Sequence, residues 1–125
     1  MEKFIILTNN PLAAEKYAPD YEVEYREETA LQVLLRARDR IHKGHRLLTH
    51  PLYGSVKPNE TLYRSIMISR KTAATDNESL ALIEDSILTW KKFGEIRRAW
   101  REQELKDFML VDETLLRSGI ESAIS

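Results

Sequence analysis

The chain is 125 residues long, 42% hydrophobic and 31% charged. That fits one folded domain over residues 1–125, ordinary globular rather than disordered. Cysteine is absent, which excludes disulfides, thiolate metal sites and thiol or selenol catalysis by the polypeptide itself. The formal charge is −1, yet from Gln32 to Lys71 nine basic residues face only Asp39 and Glu60, so that stretch carries +7 and the remainder −8. Such an asymmetry implies an anionic ligand or an acidic partner near mid-chain, or else a basic face neutralised in the fold by acidic neighbours.

Residues 3–8 form a short apolar run rich in β-formers, the pattern of a strand buried on both faces, as in parallel sheets. The longest uninterrupted apolar stretch, Phe4-Ile5-Ile6-Leu7, is too short to cross a bilayer, which takes about 20 residues, or to act as a signal-peptide core. A cytoplasmic protein with no membrane contact is expected. Asn10 and Pro11 supply an N-cap and a first helical residue, so a short helix should run to about Tyr17. Residues 21–26 alternate, with Tyr21, Val23 and Tyr25 on one face, as in a half-exposed edge strand.

Leu31, Leu34, Leu35 and Ile41 line one face of a helix expected over 28–42, and Gly44 sits where such a helix ends in a left-handed residue. A short strand is expected at 46–49, a loop at 50–61 and another strand at 63–69. The Thr75-x-x-Glu78 pattern reads as a capping box opening a helix that carries Leu80, Ile83, Ile87 and Trp90. Helical character continues from 95 to about 106, residues 107–111 fit helix or strand, and Asp112 is placed to cap a last helix with Leu115, Leu116 and Ile120. The order predicts a single α/β domain in two or three layers. Its mainly parallel sheet has about four strands flanked by helices, and the C-terminal third is helical. The 46–49 and 63–69 strands, joined only by a loop, are the pair that can run antiparallel.

Ligands of open α/β sheets bind beyond the carboxyl ends of the strands. Two segments qualify. Thr8, Asn9 and Asn10 stand at the mouth of the first strand beside a helix N-terminus. The second segment, 42–59, holds all three histidines and offers His45, Thr49, His50, Ser55, Lys57 and Asn59 as donors to phosphate or carboxylate. His42 and Lys43 are explained by the dipole of the helix they end. His45 and His50 have no such simple structural account. The H-x-x-H-x-x-x-x-H spacing is no standard zinc signature, neither a Gly-x-Gly-x-x-Gly nor a P-loop is present, and no nucleophilic triad assembles, so no metal or cofactor is expected. The modest basic set and slightly acidic whole argue against nucleic acid. Trp90, Phe93, Trp100, Phe108 and Met109 are mainly core material, and any leftover apolar stripe would serve a homodimer or a docking partner.

Several of these segments resemble the GrdX family: Ile6-Leu7-Thr8-Asn9-Asn10-Pro11, Arg38-Asp39-Arg40-Ile41-His42-Lys43-Gly44-His45, Leu48-Thr49-His50-Pro51-Leu52, and Gly54-Ser55-Val56-Lys57-Pro58-Asn59-Glu60-Thr61 with Tyr63. The likeness covers about the first two-thirds of the chain. It implies a cytoplasmic accessory protein encoded with the glycine, sarcosine and betaine reductase systems of amino-acid-fermenting anaerobes, where reductase components are the natural partners. Those systems act on small amino acids and yield acetyl phosphate, with which an anion-seeking loop is compatible. The resemblance carries no catalytic residues. A small-molecule enzyme acting on a phosphorylated or carboxylated metabolite, with His45 or His50 as acid–base, stands as the alternative.

Overall fold

The computed structural model describes residues 3–52, 62–93 and 99–124. Its elements are β1 (Phe4–Thr8), α1 (Pro11–Tyr17), β2 (Glu22–Tyr25), α2 (Ala30–His42), β3 (Ser65–Ser69), α3 (Asn77–Phe93) and α4 (Glu102–Ile124). The sheet order is β2-β1-β3, with β1 parallel to β2 and antiparallel to β3. Ile5 and Leu7 face a core built from α2 and α3, including Val33, Leu34, Ile83 and Ile87. Phe4 and Ile6 face Ala13 and Tyr17 of α1 and Leu116 and Ile120 of α4. The molecule is therefore a helix–sheet–helix sandwich. Every residue of β1 and β3 is buried, and each fully buried Ile, Leu or Met side chain contributes roughly 1.5–3 kcal/mol.

A mainly parallel sheet of four strands is thus corrected to a mixed sheet of three. The misreading has a physical cause: an unbroken apolar strand reports helices on both faces and is silent about the direction of its neighbours. Residues 46–49 lie against the outer edge of β3 but form only one antiparallel bridge, Leu47 with Ile68. Side chains displace the rest of that ladder. Met67 N–H donates to Thr49 Oγ1 at 3.1 Å, Arg46 N–H to Ser69 Oγ at 2.8 Å, and Leu47 N–H to Ser79 Oγ at 2.9 Å.

Asn10 caps α1 as expected, accepting from Leu12 N, with Pro11 as the first helical residue. Thr29 and Gln32 form a reciprocal capping box on α2 that the sequence reading passed over. At α3 the cap is Asp76 rather than Thr75, because its carboxylate takes both the N–H and the hydroxyl of Ser79, at 3.1 and 2.6 Å. Asp112 caps nothing. Residues 107–111 are helical, α4 is continuous from Glu102, and Asp112 lies on its buried face. Trp90 is buried and Trp100 stacks edge-on with Phe108, whereas Phe93, Leu110 and Val111 remain exposed. No described helix is long and apolar enough to cross a membrane.

Candidate functional site

At the carboxyl end of β1, Thr8, Asn9 and Asn10 are all buried. Asn9 donates to the carbonyls of Glu28 (2.9 Å) and Leu62 (2.8 Å) and accepts from Arg64 N–H (2.8 Å), tying the entry to α2 to the entry to β3. Asn10 donates to Met109 O and to Asp112 Oδ2, both at 2.9 Å. Ser65 donates to the same carboxylate oxygen at 2.6 Å, so Thr8 must supply the proton of the 2.7 Å Thr8–Ser65 hydroxyl pair, and Asn10 N–H in turn donates to Thr8. The result is a directed chain of donors ending on Asp112. The position that the sequence offered to an external anion already faces an internal one.

The basic segment divides in three. The arginines of α2 are matched by acids: Arg36 with Glu28 at 2.6 Å, Arg38 with Glu84 at 3.5 Å and Arg40 with Glu24 at 2.7 Å. Arg36 also donates to the carbonyls of Thr8 and Glu24. For these residues the charge asymmetry is a neutralised face. His45 is buried, and its Nδ1 lies 2.7 Å from the Ser69 carbonyl; since that carbonyl can only accept, Nδ1 carries the hydrogen. His50 is exposed and accepts the Leu52 N–H through Nδ1, which leaves the neutral ring's hydrogen on Nε2. Ser55, Lys57 and Asn59 lie outside the described residues.

His45 sits at Ser69, opposite Phe4, while Asn9 follows Thr8 at the other end of the same strand. Four strand steps separate the two ends, about 13 Å. The two sequence segments do not converge through His45. Among the described residues, the return of the loop at Leu62 and Arg64 reaches Asn9.

A concavity of about 590 Å³ lies instead beside the β3–α3 junction. Because β3 runs against β1, its carboxyl end opens at the sheet edge where β1 begins, so the general rule for α/β ligands holds there for a different strand. Lys3 enters from the start of β1, Gly44 and Arg46 from the segment after α2, and Ser69, Lys71 and Thr72 from the turn into α3. Gly44 has φ +103°, and its carbonyl accepts Ala73 N–H at 3.1 Å, clamping the turn against the end of α2. Ser69 Oγ donates to Lys71 O while accepting from Arg46 N, which fixes the relative placement of the two cationic residues' backbones. Asp76 closes the rim. Bonds from the Ser79 hydroxyl and N–H, with the nearby Arg46 charge, hold its carboxyl below the usual range.

Among the described residues, the ammonium groups of Lys3 and Lys71 make no hydrogen bond or ion pair. Sequence reading found Gly44 and the neighbourhood of Arg46 but missed Lys3, Lys71 and Thr72. The available signal was Lys71-Thr72 between a strand and a helix cap, a strand-to-helix loop of the kind that holds ligands. A second cavity, also about 590 Å³, is lined by Thr49, His50, Leu115 and Ser118 among others. No group of His, Asp or Glu side chains able to hold a metal ion occurs among the described residues.

The family model described as GrdX-like protein matches residues 5–121, extending the likeness well into the C-terminal third. No curated protein and no solved structure matches the chain.

Proposed function

The chain belongs to the GrdX-like family, and from that premise we propose that it is a non-catalytic accessory protein of glycine, sarcosine and betaine reductase that binds a small anion. The carrying observation is the concavity at the β3–α3 junction, where Lys3, Arg46 and Lys71 from three separate segments surround one volume of about 590 Å³. Pockets of that size suit small molecules. Lysine and arginine there supply charge-assisted donors to carboxylate or phosphate. The basic mid-chain segment contributes Gly44 and Arg46 to this site, and Thr49 and His50 to the second cavity.

Thermal unfolding with and without millimolar phosphate, sulfate or acetate tests the binding, since a ligand held only by the folded state raises the midpoint. A rise that Lys71→Glu abolishes supports the reading, and no shift with any anion overturns it. Retention of purified reductase subunits on the immobilised chain tests the accessory role separately. Histidine acid–base chemistry has its footing at His50, exposed in the second cavity with Nε2 bearing the hydrogen. Unchanged reductase-linked flux in His50→Ala cells would remove that alternative.

A further inference from the structure

We infer that the anion held at the β3–α3 junction is the carboxylate of a zwitterion no larger than a dipeptide, whose ammonium group is met by Asp76. The inference rests on the anion-binding reading above and adds a cation to the ligand. Both signs of charge line the concavity without neutralising one another. The ammonium groups of Lys3 and Lys71 make no hydrogen bond or ion pair among the described residues. Asp76, in the same lining, uses a single oxygen, Oδ2, to accept the Ser79 N–H and hydroxyl. Its Oδ1 accepts no hydrogen bond among the described residues. Arg46 already has an interaction partner and is not a spare cation.

Asp76 decides between ligand classes. The Ser79 bonds hold its carboxyl below the usual range, so at neutral pH it is ionised and opposes a bare anion entering beside it. An ammonium on the same molecule converts that opposition into a charge-assisted hydrogen bond to Oδ1. The two lysines are point charges on flexible stems, free to turn toward the ligand's carboxylate from the start of β1 and from the turn before α3. The N–H groups of Thr72 and Ala74 make no hydrogen bond among the described residues. They flank the Ala73 N–H that Gly44 takes and offer donors to a carboxylate or a peptide carbonyl. A volume of about 590 Å³ admits an amino acid or a dipeptide, which share the required chemistry and differ in the spacing of their charges.

The test is calorimetric titration of the full chain at neutral pH with alanine and alanylalanine, beside propionate and ethylamine. Propionate is alanine without its ammonium, and ethylamine is alanine without its carboxylate. At least one of the two zwitterions is expected to bind about tenfold tighter than either fragment, and the tighter of the two reports the charge spacing of the site. Asp76→Asn removes the charge but keeps a side-chain oxygen able to cap α3. It should weaken the zwitterion about tenfold and leave propionate unchanged or tighter, a divergence that damage to the fold would not produce. Lys71→Gln should weaken the zwitterion and propionate together. Propionate binding as tightly as both zwitterions, or Asp76→Asn weakening all of them alike, overturns the zwitterion assignment while leaving an anion site. Failure of the zwitterions and propionate alike to bind overturns both.

Discussion

Asp112 illustrates how one side chain can decide whether a buried region is tolerable. Its carboxylate is the acceptor for Asn10 Nδ2 and Ser65 Oγ, and through Ser65 it orients Thr8. Asp112→Ala strands those donors without water, so equilibrium denaturation should show a loss of about 2–4 kcal/mol, whereas a surface Asp→Ala costs little. Glu113, next along the helix, makes a second such centre with Tyr17 at 2.7 Å, Lys16 at 2.9 Å and Arg117 at 2.7 Å. Burial raises the carboxyl's pKa, but the bonds from Tyr17, Lys16 and Arg117 together outweigh it and the net shift is downward. A depressed folded value stabilises the fold above the unfolded value of 4.5 and loses that contribution as pH falls below it. For the Tyr17 phenol, burial and then the Glu113 bond push the pKa up to about 12. A raised value gives stability that is present below pH 10 and lost as pH climbs from 10 toward 12. Stability measured against pH should therefore fall on both limbs, and Tyr17→Phe should flatten the alkaline one.

At the scale of elements, the informative piece is the junction of α2 with the turn before α3. Gly44 holds a left-handed backbone, and a Cβ there would lie 2.2 Å from the Ala73 carbonyl oxygen. Gly44→Ala should therefore destabilise the chain by at least about 1 kcal/mol. It should also displace the 72–74 turn, so that anion binding suffers more than stability does; denaturation midpoints and titration on the same variant separate the two. Much of this element was legible beforehand, because a glycine after a patterned helix announces the left-handed cap whatever follows. The Asn10-Pro11 start of α1, the buried β1 run and the edge position of β2 were legible for the same reason: each is dictated by neighbours in sequence. Lys3 and Lys71 were not, because they meet only through the antiparallel pairing of β1 with β3. An apolar run carries no mark of strand direction. Parallel strands would place ligands at the opposite end of the sheet, where Asn9 and Asn10 bond internally.

At the scale of the molecule, the charge asymmetry and the sandwich explain one another. Acids from β2, the β2–α2 turn and α3 neutralise the α2 arginines, whereas the ammonium groups of Lys3 and Lys71 at the β3–α3 end have no partner among the described residues. Binding there should weaken as salt rises, since exposed charges are screened within about 8–10 Å at 0.1–0.15 M ionic strength; titration across a salt series checks this. The buried triad of Thr8, Ser65 and Asp112 also has a temporal consequence. Asn10 and Asp112 are 102 positions apart, and β1 finds its antiparallel neighbour only after some 57 more residues have been synthesised. The opening strand thus leaves the ribosome long before either its lateral partner or its covering helix exists. A chain ending before Glu102 should fail to give a cooperative unfolding transition, since Phe4, Ile6, Met67 and the hydroxyls beside them would face water. One face of β1 is thus covered by a helix that follows it by almost the whole length of the described fold.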